Sequence, residues 1–300
     1  MQSPPAAPVP PIGVVVITRN RRERLLHTLD RLRSLPEAPP VLVLDNASAD
    51  GTAAAVRDRH PAVAVRVLRR NRGAVARNLG VEQLGTPYVA FSDDDSWWRP
   101  GALSLAAGLF DRHRRLGLLA AATRVGPGGR ADPIDDRLAA SPLGVAPDLP
   151  GPSVLGFLAC ASIVRRSAFL EVGGFHPLLH FGGEEALLAL DLTAAGWGVA
   201  HCPQVVAHHH PDPGPRPGRL ARLRRNELLT CWLRRPWPQV ARQSAGLVRE
   251  AAGNPQAARA LAGAVPRLPA ALALRRPLPP EVERSVARLE QAGAVDGEAR

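Results

Sequence analysis

Between Gly13 and Asp95 the chain repeats one local rhythm: a short β-branched apolar run, a polar break, then apolar residues at helical spacing. Residues 14–18 are Val-Val-Val-Ile-Thr, and Leu25, Leu29 and Leu32 follow on one face of an expected helix that Pro36, Pro39 and Pro40 terminate. A second strand at 41–44, a helix over 52–59, a strand at 63–68 and a buried strand at 88–91 continue the series. Strands separated by helices pair through crossovers, so the alternation implies βαβ units and an α/β fold with a mainly parallel sheet flanked by helices. Ligands of such sheets bind beyond the carboxyl ends of the strands. The residues just past each strand therefore carry the functional information.

Four strand ends are polar: Thr18-Arg19-Asn20, Asp45-Asn46, Asn71-Arg72-Gly73 and the triplet Asp93-Asp94-Asp95. Three adjacent carboxylates repel one another, and a cation or polar ligand makes the clustering tolerable. The triplet is a candidate metal and phosphate site. It also matches a solvated acidic turn opening a helix, with Asp95 or Ser96 as N-cap and Pro100 in the first turn. Further on, His208-His-His210 follows the apolar run 205–207. Alternation along a strand puts His208 and His210 on one face and His209 on the other, so the three do not converge on one ion. Trp97-Trp98 serves either as core packing or as a platform for a sugar.

Three hundred residues with 45% hydrophobic content are enough for one large α/β domain with a helical appendage. No run of 18 apolar residues occurs, and the Pro-rich start, residues 1–11, reads as a disordered leader without a signal-peptide pattern, so a cytoplasmic protein is expected. Cys160, Cys202 and Cys231 are too few and too scattered for a disulfide framework. The formal charge is +11, and all 38 basic residues are arginine. Arginine binds phosphates bidentately, although a general Ala/Arg/Pro/Gly bias would give the same excess. Aromatics make up only 4%, without the basic–aromatic interleaving that stacks bases, so nucleic acid is not expected as a partner. Residues 212–219 are a Pro/Gly linker by composition, and 220–300 a basic helical region holding most of the charge excess, broken at Pro255, Pro266, Pro269, Pro277 and Pro279. That region could lie peripherally on an anionic membrane, pack on the first domain or form a dimer contact. The Gly/Pro/Asp-rich stretch 126–152 reads as a flexible loop able to close over a ligand.

Val14-Val-Val-Ile-Thr-Arg-Asn-Arg21, Val43-Leu-Asp-Asn-Ala-Ser-Ala-Asp-Gly-Thr52, Asn71-Arg-Gly-Ala-Val-Ala-Arg-Asn-Leu-Gly80 and Phe91-Ser-Asp-Asp-Asp95, in this order, resemble the successive motifs of the family 2 glycosyltransferases. Downstream, the segment from Gly156 to Gly173-Gly-Phe175 is similar to the family's acceptor-side segment, and Gly183-Glu-Glu185 with Gly196-Trp197 to its acidic-pair helix. The second acid there is usually Asp, here Glu185, and Leu187 stands where a further acid is often found. The resemblance covers residues 12–211. It implies the GT-A fold, Rossmann-like with a mixed sheet, and a nucleoside-diphosphate sugar as donor. It further implies inverting transfer to a hydroxyl acceptor, lipid-linked or glycan, as in polysaccharide or glycoconjugate biosynthesis, assisted by Mn²⁺ or Mg²⁺ at a DXD-like motif.

By the same resemblance Asp95 touches the metal, and Asp93 or Asp94 reaches the ribose or a metal-bound water. Asp45 accepts from the base, and Thr18 with Arg19 lines the base pocket. Asn71 and Gly73 let the backbone approach the nucleotide, and Arg77 positions the acidic loop or a phosphate. His208 or His209 completes the metal site. Glu185 is the candidate general base, its affinity for protons raised by Glu184; as residues opening a helix, the same two acids also complement its dipole. Two other readings use the same parts. A nucleotidyltransferase would normally have a glycine-rich phosphate loop after the first strand, and residues 18–24 contain no glycine. A non-catalytic basic nucleotide- or nucleic-acid-binding protein is the third.

Overall fold

The computed structural model describes residues 11–214 and 217–298. The expected leader thus lies almost wholly outside the described residues, as does part of the expected linker. The N-terminal half follows the predicted alternation: β1 (Ile12–Thr18), α1 (Arg22–Arg33), β2 (Val41–Asp45), α2 (Thr52–Arg59), β3 (Ala64–Val67), α3 (Ala76–Gln83) and β4 (Tyr88–Asp93). Then come β5 (Ser96–Trp98), α4 (Ala102–Arg112), β6 (Leu116–Val125), β7 (Arg130–Ala131), α5 (Pro133–Ala139), β8 (Ser162–Arg165), α6 (Arg166–Glu171), α7 (Glu184–Ala194) and β9 (Gly198–His209). The strands form one mixed nine-stranded sheet in the order β3-β2-β1-β4-β8-β6-β9-β5, with β7 added to β6. Strands β3, β2, β1 and β4 are mutually parallel, as is the β6–β9 pair, while β8 runs antiparallel to both β4 and β6.

Both faces of the sheet are covered at its centre, which is why β1 and β2 are buried along their whole length. Val14, Val16, Val41, Val43 and Ala90 face α1 and α4, where Leu25, Leu29, Leu32, Leu103 and Phe110 pack. Their neighbours Val15, Ile17, Leu42, Leu44, Val89 and Phe91 face α3, α6 and α7. Helix α3 lies so close that a Cβ on Gly80 would come within 2.6 Å of a Val15 methyl. Strand β9 is longer than the expected 205–207: it pairs with β6 from Gly198 and jumps register between Ala121 and Ala122, where Pro203 and Gln204 bulge outward. Proline cannot donate to the ladder, so the bulge is where it is tolerated.

Two expectations need correction. No helix begins at Asp95 or Ser96: Ser96–Trp98 is β5, antiparallel to the end of β9 with Trp97 opposite His208, and α4 starts only at Ala102. A long-range pairing has overridden the local capping signal. The stretch 126–152 is not a free loop either. It contains β7 and α5, the latter capped by Asp132, whose carboxylate accepts from Ile134 N, and Asp135 accepts from the Thr123 backbone N–H at 2.9 Å. The C-terminal region is helical, and its helices break at the expected prolines: α8 (Arg219–Arg234) is followed by α9 (Trp237–Ala251), α10 (Pro255–Ala264), α11 (Leu268–Ala273) and α12 (Pro280–Glu298), with Pro277 and Pro279 between the last two. Pro255 and Pro280 stand at first helical positions, where the missing N–H is not needed.

The helical region packs on the α/β unit. Leu228, Leu229 and Leu233 of α8 share a core with Leu179 and Leu187, Arg234 forms a bidentate pair with Asp191 of α7, and the buried amide of Asn226 donates to the carbonyls of Leu179, Phe181 and Gly182. Among the described residues no helix is long and apolar enough to cross a membrane.

Candidate active site

Parallel register alone assembles the site. Thr18 lies opposite Asp45 and Ile17 opposite Asp93, so the ends of β1, β2 and β4 come to one edge. There the acid turn crosses from β4 to β5, with Asp94 and Asp95 in the turn itself. The three carboxylates part company at once. Asp93 takes the guanidinium of Arg77 from α3. Asp94 is 4% exposed and accepts from Thr18 Oγ1 at 2.9 Å and from Arg21 Nη1 at 2.6 Å, while Thr28 Oγ1 donates to its backbone carbonyl. Burial, opposed by Arg21, pushes the Asp94 carboxyl up to about 7, helped by the charges of Asp95 and Asp93. Asp95 is buried as deeply, which alone would raise it, yet the hydrogen bond and charge of His209 together with Arg21 hold it below the ordinary carboxylate range.

Arg77 is the most unusual group in the site. It is 1% exposed and stands over the rings of Phe91 and Phe175, with 6.0 and 5.6 Å to their centroids. Among the described residues only Nη2 has a partner; Nε and Nη1 are buried with none. Buried donors are nearly always paired, so two orphans on one cation mark either a cost or a place for an acceptor that the chain does not itself supply. Across from it, Glu184 and Glu185 open α7 behind Gly183, which takes the left-handed conformation at φ 82°. Glu184 is buried with Oε2 unpartnered, and burial followed by the charge of Glu185 pushes it up to about 8. Burial also raises the half-exposed Glu185, against the Ala159 backbone hydrogen bond and the Arg77 charge and with the help of Asp93.

The histidines obey strand alternation. His209 turns to the acids, its Nε2 3.5 Å from Asp95 Oδ1. His208 and His210 lie on the opposite side against Trp97, at 5.7 and 4.6 Å between ring centroids. Of the two candidate ligands, His208 is thus kept from the acids by the pleat and His209 brought to them. Trp98 is fully buried in the core and Trp97 half-buried in this cluster, next to a cleft of about 330 Å³ that also reaches Asp95 and His27. A divalent cation would meet a carboxylate from Asp95, a donor that suits Mn²⁺ or Mg²⁺, and an imidazole from His209, which favours the softer Mn²⁺ of the two. Among the described residues no three His, Cys, Asp or Glu side chains are grouped to hold an ion on their own. The residues fit a cation whose remaining positions are filled by substrate phosphate and water.

The other predicted residues are present but differently employed. Asp45 is buried, with Oδ1 accepting from Ser48 N at 2.8 Å. Arg19 is exposed, and among the described residues it pairs with none of the acids. Asn71 Oδ1 caps Gly73 N at 2.9 Å. The freedom of Gly73, at φ 60°, serves the protein's own backbone: a Cβ there would come within 2.2 Å of the His180 carbonyl oxygen, which accepts from Ala74 N. Two contributors escaped the sequence reading. Asn46 binds Arg72 N and the Gly73 carbonyl, locking the β2 and β3 loops together, and Arg21, rather than Arg19, reaches the acid turn, because Asn20 takes the left-handed conformation at φ 53° and reverses the chain leaving β1. An Asn directly before an Arg at a strand end was the available signal.

With fold and site in place, the class is clear. Residues 13–173 match the family described as Glycosyl transferase family 2, and the chain belongs to it. The same α/β architecture with the GT-A arrangement recurs in solved structures. A mannosyltransferase from Pyrobaculum calidifontis in complex with GDP-Man and Mn²⁺ superposes with a TM-score of 0.56 at 20% identity, covering 93% of this chain and 86% of the other. S. aureus TarS 1–349 in complex with UDP-GlcNAc gives 0.53 at 18% identity over 73% and 66%. Among curated proteins, this chain is 28% identical over 233 residues to an N-acetylglucosaminyl-diphospho-decaprenol L-rhamnosyltransferase of Mycobacterium tuberculosis, 66% of this chain and 76% of that one. It is 32% identical to a pre-mycofactocin glycosyltransferase of the same organism, of which it spans 45%. The chain is a glycosyltransferase; the nucleotidyltransferase and non-catalytic readings fall away. The family match ends before Glu184, Glu185 and His209.

Proposed function

We propose that the chain is an inverting, metal-assisted glycosyltransferase that moves a sugar from a nucleoside-diphosphate donor to a hydroxyl of a lipid-linked or glycan acceptor. The observation that carries the reading is the buried Arg77, with two orphaned donors between Asp93 and the raised acid pair: it offers hydrogen bonds to an anion and stands beside a group able to take a proton. Thr18, Asp45 and the Asn71–Gly73 turn hold the nucleoside end at the edges of β1 and β2. Arg77 orients Asp93 and receives phosphate oxygens at Nε and Nη1. Asp95 and His209 would hold Mn²⁺ or Mg²⁺, which supplies Lewis-acid stabilisation to the departing diphosphate.

Glu185, part-exposed at the start of α7, takes the proton of the acceptor hydroxyl as its oxygen bonds to the anomeric carbon. The bond from that carbon to the phosphate oxygen breaks in the same displacement, and the electron pair leaves with the diphosphate, which inverts the anomeric centre. Glu184 beside it keeps the proton affinity of the pair high enough for this task at neutral pH. A lipid-linked acceptor would be met at a membrane surface. Consistent with this, the basic helical region carries an exposed Trp237, 55% accessible, stacked by Arg275 at 4.1 Å and near exposed Leu272 and Leu274.

The test is a panel of nucleotide sugars screened by thermal shift and by donor hydrolysis with Mn²⁺. At least one donor should raise Tm and turn over, and Glu185→Gln should keep donor binding while losing transfer. Full transfer by Glu185→Gln would remove Glu185 as the base, and no binding or turnover with any donor would overturn the reading.

A further inference from the structure

Arg21 has no part in the mechanism above, yet it makes more charged contacts at the acid turn than any other residue. Its Nη1 lies 2.6 Å from Asp94 Oδ1, and its Nη2 lies 3.0 Å from Asp95 Oδ2 and 2.5 Å from Asp212 Oδ2. One guanidinium thus joins carboxylates from the turn after β4 and from the strap after β9. The strap is itself fastened over the turn. His210 N donates to the Asp95 carbonyl at 2.8 Å, Arg24 Nη1 donates to the His210 carbonyl at 2.8 Å, and Arg24 also pairs with Asp212. Asp94 and Asp95 are buried side by side and need a positive charge whenever both are ionised. A guanidinium is always charged, so Arg21 can meet that need without any ion.

Asp95 is also the acid that faces His209. A cation bound between them competes with Arg21 for the same carboxylate. Arg21 is built to move: its side chain is 30% exposed, Asp212 is 52% exposed, and both border an open cleft of about 360 Å³ with Asn20, Arg22 and Asp50. Leaving Asp95 therefore disturbs no core packing, and Asp212 remains as a partner on the solvent side.

We propose that Arg21 is an exchangeable counter-cation: it holds Asp95 while the donor site is free and yields it to the divalent ion that enters with the diphosphate, so that metal binds productively only together with nucleotide. Asp212 is the outer station that draws Arg21 off the acids. The inference rests on the metal-assisted reading and adds an order of entry to it.

Mn²⁺ binding to the full chain, followed by the loss of free-Mn²⁺ electron paramagnetic resonance signal, decides the matter without any turnover. It is measured for the wild type, Arg21→Gln, Asp212→Ala and Asp95→Asn, each alone and with UDP or GDP. Without nucleotide the wild type should bind weakly and Arg21→Gln at least tenfold more tightly. Asp212→Ala, at an exposed position, should bind severalfold more weakly than the wild type, since Arg21 is then left to Asp94 and Asp95. Nucleotide should tighten the wild type far more than Arg21→Gln. Equal Mn²⁺ affinities for the wild type and both Arg21→Gln and Asp212→Ala would overturn the role of Arg21 while leaving the metal reading intact. If Arg21→Gln does not fold, an unchanged Asp212→Ala affinity has the same force. Absence of binding to every protein with either nucleotide, or undiminished binding to Asp95→Asn, would instead overturn the metal reading.

Discussion

Replacing Arg77 by methionine separates a structural strut from a ligand-binding group. The side chain is buried against two aromatic rings with Nη2 on Asp93 and its other donors unpaired among the described residues. Each unpaired buried donor costs roughly 1–3 kcal/mol, and the bond to a charged partner contributes roughly 1.5–3 kcal/mol. The two ring contacts add roughly 0.5–2 kcal/mol apiece. Methionine keeps the length and much of the contact with the rings, removes the orphaned donors and gives up the bond to Asp93. These changes nearly offset, so Arg77→Met should alter unfolding free energy in urea by no more than about 1.5 kcal/mol. Donor affinity should behave otherwise: with charge-assisted bonds to phosphate at Nε and Nη1 lost, each roughly 1.5–3 kcal/mol, binding should weaken by at least about tenfold to hundredfold by calorimetry. A variant that lost more than about 3 kcal/mol of stability yet bound donor like the wild type would show that Arg77 only braces the acid turn.

Gly73→Ala should cost roughly 2–4 kcal/mol, the sum of left-handed strain and collision with the His180 carbonyl; a loss below about 1 kcal/mol in urea would mean that the His180 segment yields easily. Asn226→Leu removes the side-chain donor to the carbonyls of Phe181 and Gly182, while that of Leu179 keeps Arg225 Nη2, and should destabilise by roughly 1–3 kcal/mol, with a drop in kcat that donor affinity does not share. The raised acid pair predicts that kcat/KM climbs as pH rises above the ordinary carboxylate range, and a profile flat from pH 5 to 9 would contradict it. Because Glu184 is raised in the folded state, its contribution to stability is full below the unfolded value of 4.5 and is lost as pH rises through about 8. Glu184→Gln should flatten the decline of Tm over that window.

The parallel half of the fold was legible because its signals are local and repeated. β-Branched runs and helical spacing recur from β1 to β4, and α2 fell on its predicted residues 52–59. The acid turn was legible as a feature but not in its surroundings, since Ser96–Trp98 becomes a strand only through its pairing with residues more than a hundred positions later. The same holds for Arg21 and Arg19. Both are arginines at a strand end, and only the left-handed Asn20 between them decides which one returns over the carboxylates. Alternation did separate His209 from its neighbours, because a pleat is a local rule. The seat of α8 was open in the sequence: an arginine-rich amphipathic pattern fits a membrane, a partner copy or the catalytic domain, and in the structure its leucines pack on Leu179 and Leu187 of the catalytic domain.

The grip of Asn226 on the loop before α7 has a bearing on how such a chain can diversify. The segment that delivers Glu184 and Glu185 hangs by its carbonyls from a helix some forty residues further on, so if the proposed role of Glu185 holds, the unit inherited with it runs to the end of α8, past the Pro/Gly stretch that looks like a boundary. A loop between residues 175 and 183 grafted from a relative would arrive without its hanger. Exchanges that preserve activity should therefore be those that carry loop and helix as one piece, and related chains with altered acceptors should differ in both places together.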